Sequence, residues 1–233
     1  MTSETSNDER ELALPGEAAS AVSRPPALPV APPVWMTLAG VVSLLVVFAI
    51  YLLWLDRVVG LFTDDAWYVL LAKGLATGRG YSIVNSPTPG ILPLYPPAFP
   101  FLLSLVFRIS PNFPDNVWLL KSVSMVAMLG TGLLAYRYFV RDRELPAPWA
   151  LAIAVGAVLS PPLVFLATST VMSECVFALV FLSTIMVMER CVRAGSSARG
   201  LQLAVAGAAL ASAGFLTRSI AFSLIVAGGL YLL

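Results

Sequence analysis

Apolar and polar residues are laid out along this chain in long blocks. Residues 1–33 are polar and then proline-rich, with Pro15, Pro25, Pro26, Pro29, Pro32 and Pro33 and no apolar periodicity, which predicts a disordered tail. Residues 34–55 carry no charge and reach the roughly 20 residues that a helix needs to cross a bilayer. A signal peptide has a basic start before its apolar core; Glu4, Asp8, Glu9 and Glu11 open this chain, so the first span is expected to stay attached. Further apolar blocks at 117–136, 149–167, 171–188, 201–217 and from 220 to the end predict five more crossings. Block 98–109 is apolar but short for a span, and reads as a second interfacial helix or a short crossing.

Between the first two spans, residues 56–116 do not read as one simple loop. Trp67, Leu70, Leu71 and Leu75 recur at helical spacing, predicting an amphipathic helix over 64–77 at the bilayer surface. Thr63 can cap its start and Gly78 can end it. Residues 80–97 are rich in Pro and Gly and are expected to be irregular. Tyr95-Pro96-Pro97-Ala98-Phe99-Pro100 closes that stretch as a rigid element, because each Pro fixes its own φ and restricts the residue before it.

Composition places the chain in the all-α polytopic membrane class: 58% of the 233 residues are hydrophobic, 12% are charged, and the mean hydropathy is +0.86. A net charge of +1 and the lack of a dense basic cluster argue against a nucleic-acid partner. The chain has no His, so a site must rest on carboxylates, Lys, Arg and Tyr. Cys175 and Cys191 lie 16 positions apart, roughly 24 Å along a helix, beyond disulfide reach, and read as apolar fillers.

Orientation follows from the arginines, because short cytoplasmic loops collect basic residues. If block 98–109 does not cross, Arg137, Arg141 and Arg143 share the side of Arg190, Arg193 and Arg199, which is also that of the amino-terminal tail. The preferred topology therefore has a cytoplasmic tail, a transmembrane domain over 34–233 and an external loop over 56–116. Asp64, Asp65, Glu174 and Arg218 then gather on the outer face.

Each of these has a bland reading. Asp64 and Asp65 in a first helical turn favour the helix dipole by about 0.3–1 kcal/mol; alternatively one of them is a general base or metal ligand, with Tyr68 one turn on. An acidic group such as Glu174 costs about 2.5–3.5 kcal/mol at the centre of a spanning helix and less near its end, so it reads either as reaching the interface or as facing a cavity or partner. Arg218 either snorkels to the interface or holds an anionic head group such as a phosphate by bidentate hydrogen bonds. Lys73, Arg79 and Lys121 are weaker versions of the same anion-binding idea.

Taken together these residues resemble the polytopic C-type (GT-C) glycosyltransferases that use lipid-phosphate sugars, the family of protein O-mannosyltransferases and the lipid A aminoarabinose transferase. The resemblance covers residues 34–233, the amino-terminal part of such an enzyme, and is carried by Asp64-Asp65-Ala66-Trp67-Tyr68, then Leu71-Ala72-Lys73-Gly74-Leu75 and Gly78. It implies a GT-C-like helix bundle with amphipathic juxtamembrane helices in the first external loop, in the cell membrane. Sugar would pass from a polyprenyl-phosphate donor to a protein, lipid or glycan acceptor on the extracytoplasmic side. Asp64 and Glu174 would be catalytic, Ser173-Glu174 occupying the place of the family's second acidic residue. Thr217-Arg218 is similar to its basic residue at the outer end of a later span. Asp65, Tyr68, Lys73, Tyr95 and Arg218 would bind substrate, and Asp64 with Glu174 would hold a divalent cation such as Mg²⁺ or Mn²⁺. Tyr95 stands where many members have Lys before the two prolines.

The competing classes are a transporter or channel subunit, favoured by Pro161-Pro162 within a span, and a purely structural membrane subunit, which leaves Glu174 without a role. The chain stops at Leu233 inside an apolar run, so a fragment without activity of its own is expected.

Overall fold

The computed structural model describes residues 34–85 and 94–232; the expected tail over 1–33 lies outside them. All regular elements among the described residues are helical. Helix α1 is Val34–Trp54, α2 Thr63–Ala76, α3 Ala98–Ile109, α4 Val117–Arg141, α5 Ala147–Val158, α6 Pro161–Thr168, α7 Glu174–Ala194, α8 Ala198–Thr217 and α9 Phe222–Leu232. Helices α1, α4, α7 and α8 are each long and apolar enough to cross a membrane, and α5 with α6, bent at the break between them, makes a fifth if the pair is one span. The block from 220 forms α9, an apolar helix of 11 residues. The chain is an all-α polytopic membrane protein.

Helix α4 is the hub, packing against α1, α3, α5, α6 and α7. Its Leu120, Met125 and Met128 meet Val47 and Tyr51 of α1, Leu103 and Phe107 of α3 and Val164 of α6 in one buried cluster. By contrast only 17% of the most apolar stretch of α1 is buried, so most of its surface is left for lipid. Helix α8 meets α7 through small residues, with Gly207, Ala211 and Gly214 buried along one stripe. Lipid gives no hydrophobic drive to helix pairing, and small side chains let the backbones approach closely enough for packing to supply it.

The α5–α6 pair breaks where the sequence removes two N–H donors. Pro161 and Pro162 begin α6, whose axis turns 56° from that of α5. In a continuous helix the Val158 carbonyl would accept from residue 162, which is Pro and cannot donate. The Tyr51 hydroxyl of α1 donates to that carbonyl instead, at 2.7 Å. An unsatisfied carbonyl is costly in lipid, so this bond both repairs the break and fastens α1 to it.

Helix α3 is about 18 Å long at 1.5 Å per residue, too short to cross, and packs on α2. Thr63 does not cap α2 as expected: it is the first helical residue, and Phe62 before it makes no side-chain cap. The end of α2 matches expectation. Gly78 has φ +75°, and the Gly78 and Arg79 amides donate back to the carbonyls of Leu75 and Gly74, a Schellman closure. Gly74 is required by close approach, since a Cβ there would sit 2.6 Å from the Ser82 carbonyl oxygen.

The buried stripe of α2 is Asp65, Tyr68, Val69 and Ala72, with Leu71 beside it, while Trp67, Leu70 and Leu75 are only half-buried. Of the four apolar residues expected to form the surface-facing stripe, Leu71 is fully buried and Trp67, Leu70 and Leu75 stay half-buried. Asp65, expected in the first turn, lies on the buried side.

Candidate functional site

Four separate stretches of chain converge beside the first turn of α2. Asp64 and Tyr68 come from α2, Tyr95 from the segment before α3, Ser173 and Glu174 from the start of α7, and Arg218 from the end of α8. Arg218 adopts an extended conformation (φ −149°, ψ 130°) that terminates α8, so its side chain leaves the helix axis toward α7. Glu174 lies in the first turn of α7 and Arg218 at the carboxyl end of α8, so each charge also complements its own helix dipole.

These side chains form a chain of contacts. The Tyr95 hydroxyl donates to Asp64 Oδ1 at 2.8 Å. Tyr68 and Ser173 share a hydrogen bond of 3.1 Å between their hydroxyls. Arg218 Nη1 donates to Ser173 Oγ at 3.4 Å and forms an ion pair with Glu174 Oε1. The rings of Tyr68 and Tyr95 meet edge to face at 5.1 Å, and Phe99 closes on the other side of Tyr68 at 5.0 Å. Tyr81 donates to the Tyr95 carbonyl at 2.6 Å, tying the Tyr95 backbone to the loop that follows α2.

Electrostatics keep both phenols as donors near neutral pH. Burial raises the Tyr68 hydroxyl, with the Ser173 bond and the Arg218 charge pulling the other way and Glu174 and Asp64 adding to the rise. Tyr95 is pushed up to about 12 by burial and then by donating to the Asp64 carboxylate. All three charges bear on Tyr68, so they belong to one electrostatic neighbourhood.

Of the residues expected to carry function, Asp64, Tyr68, Tyr95, Glu174 and Arg218 are thus brought together. Lys73 is not: it is exposed in the last turn of α2, roughly 13 Å along the axis from Asp64. Asp65 is fully buried, and neither of its carboxylate oxygens has a hydrogen-bond partner among the described residues. Ser173 is the member that sequence reasoning passed over. Its signal was its place immediately before Glu174.

Lys121 also departs from its anion-binding expectation. It is fully buried and forms an ion pair with Asp56 Oδ1 at 2.5 Å while donating to the Asp56 carbonyl at 3.1 Å. That pair ties the end of α1 to the start of α4 and leaves Lys121 no anion to recruit. As for a cation, no group of three or more acidic, Cys or His side chains suited to a metal occurs among the described residues. Glu174 is moreover committed to Arg218.

What the arrangement can do is hold an anion and a hydroxyl side by side. Arg218 presents Nε and Nη2 without partners among the described residues, and Asp64 Oδ2 likewise accepts no bond there. No family model, curated protein or solved structure matches this chain.

Proposed function

We propose that this chain is the catalytic membrane part of a glycosyltransferase that moves a sugar from a polyprenyl-phosphate donor to a hydroxyl acceptor. The observation that carries this reading is the convergence of Asp64 with Tyr95, and of Arg218 with Glu174 and Ser173, at one end of a lipid-embedded bundle. A lipid-linked donor can stay in the bilayer while its phosphate reaches Arg218, whose planar fork suits bidentate contact. The acceptor hydroxyl gives its proton to Asp64 as its oxygen bonds to the anomeric carbon. The bond from that carbon to the phosphate oxygen breaks, and the phosphate leaves carrying the electron pair, its charge offset by Arg218.

Tyr95 orients Asp64, and Ser173 with Glu174 orients Arg218. Asp64 and Glu174 are also the carboxylates that Mg²⁺ or Mn²⁺ would use, but one of them is already neutralised by Arg218, so the protein's own side chains carry every step. The arginine-rich end of the bundle would face the cytoplasm, placing the site outside. A cysteine replacing Ser82 would then react with an impermeant reagent applied from outside.

The test is the intact protein in proteoliposomes with a labelled polyprenyl-phosphate sugar. Asp64→Asn is expected to lower transfer by about 10²- to 10⁴-fold, the range for a lost general base, with insertion unchanged. A wild-type rate in that variant refutes the assignment. A transporter reading is favoured by the broken α5–α6 crossing, since broken helices line many transport sites. The Val158 carbonyl at that break is however already taken by Tyr51 rather than offered to a solute. Solute flux without sugar transfer would support the transporter.

A further inference from the structure

The opposite end of the bundle carries a second assembly that sugar transfer does not use. The side chain of Asp142, just past α4, is only 5% exposed and accepts from both Arg190 at 3.0 Å and Arg193 at 2.6 Å. Arg143 pairs with Glu189 at 2.5 Å and lies over the Tyr138 ring, 5.0 Å from its centre. Six arginines gather at this end (137, 141, 143, 190, 193 and 199) against three carboxylates (142, 144 and 189), leaving a net charge of +3. The arginine side chains are held in place and still accessible, at 50% exposed for Arg143 and 53% for Arg193.

Beneath those two guanidiniums an open cleft of about 710 Å³ runs between α7 and α9. That is within the range of roughly 300–1,000 Å³ typical of ligand pockets. Its floor is apolar, formed by Phe181, Ile185, Met188, Leu224 and Ala227, and Tyr231 stands at its rim. Arg143 and Arg193 share the lining with their partners Glu189 and Asp142, at a bundle end of net charge +3 and over an apolar floor; within a membrane bundle that combination matches an amphiphile with an anionic head and a hydrocarbon tail. Either guanidinium alone could be a snorkelling side chain; two immobilised over one apolar cleft define a head-group position.

We propose that this cleft binds an anionic phospholipid, with its phosphate on Arg143 and Arg193 and an acyl chain along α7 and α9. Basic residues beside an anionic head group each contribute roughly fivefold in affinity.

The test uses the intact protein in phosphatidylcholine vesicles, with spin-labelled phosphatidylglycerol or phosphatidylcholine as the probe. Wild type is expected to hold phosphatidylglycerol severalfold more strongly. Arg143→Gln with Arg193→Gln should lower that preference by roughly fivefold or more. Arg137→Gln with Arg199→Gln removes an equal charge at the same end outside the cleft and should leave it nearly intact. Equal losses in both variants would reduce the effect to general surface charge and overturn the site. Should the Arg143 and Arg193 double variant fail to fold, Ala227→Phe carries the test: it fills the cleft without touching a charge and should abolish the preference, and an unchanged preference overturns the proposal. A cleft covered by protein would also overturn it, seen as a bimane on Ala227→Cys that brominated phospholipid does not quench. None of these readouts involves sugar transfer, so the outcome is independent of the catalytic reading.

Discussion

The ion pair between Asp56 and Lys121 predicts an asymmetry that a simple count of salt bridges would miss. The Lys121 side chain is completely buried, whereas that of Asp56 is 39% exposed. Removing the carboxylate in Asp56→Ala strands an ammonium group whose one remaining hydrogen bond among the described residues is to the Asp56 carbonyl at 3.1 Å. Breaking a buried pair in this direction costs about 3–5 kcal/mol, and the surviving carbonyl bond places the expectation near 3 kcal/mol. Lys121→Met removes the other partner but keeps most of the apolar stem that packs within α4. The Asp56 carboxylate it leaves behind can take up water and still accepts from the Val58 amide at 2.9 Å, so the expected cost is only about 1 kcal/mol.

The double variant has no stranded charge and should be nearly as stable as Lys121→Met alone. Unfolding of the purified protein in mixed detergent micelles, followed by tryptophan fluorescence, measures all three. A Lys121→Met cost equal to or above that of Asp56→Ala would refute the reasoning, because the stranded ammonium would then not be the larger of the two penalties. The same pair sets an acid limit. Burial acts to raise the Asp56 carboxyl, but hydrogen bonds from Lys121, the Val58 amide and Ser169 outweigh it and hold it below the usual carboxylate range. A depressed folded-state value means that the contribution is full above the unfolded value of about 3.9 and is lost as pH falls through the folded one. Asp56→Ala should therefore flatten the acid side of the stability profile.

Two further variants separate architecture from chemistry. Arg218→Gln should cost about 1–3 kcal/mol by stranding Glu174, whose Oε2 is already buried without a partner among the described residues; adding Glu174→Gln should recover most of that stability while transfer stays lost, and recovery of transfer in the same double variant would remove Arg218 from the site. Gly74→Ala gains up to about 1 kcal/mol of helix propensity, yet should destabilise by about 1–3 kcal/mol net because its Cβ meets the carbonyls of Ser82 and Gly80 at 2.6 and 3.0 Å; a raised melting temperature would contradict that packing.

How much of this was legible in the sequence depends on what each signal measures. Of the six crossings expected from hydropathy, four appear as long apolar helices and one as the bent α5–α6 pair, because block length and the absence of charge are properties of the chain alone. The proline pair marked the break in α5–α6 for the same reason. Hydropathy could not identify the packed face of α2, since lipid is as apolar as a neighbouring helix and Trp67 or Leu70 satisfies either. The polar side chains then decided the face, with Asp65 and Tyr68 turned inward, against the habit of reading an acidic first turn as exposed. Asp64, Glu174 and Arg218 were found because isolated charges in an apolar chain need partners, and two of them partner each other. Lys121 obeyed the same rule and was misassigned, because its partner lies 65 positions away at the mouth of another helix. Scarcity of charge thus tells which residues must pair; only the packing of α1, α4, α7 and α8 tells with whom, and pairing that satisfies a charge, as in Lys121, withdraws it from chemistry. Arg218 is paired as well, but through one nitrogen of its fork and at a half-buried position, which leaves the remaining donors for a phosphate.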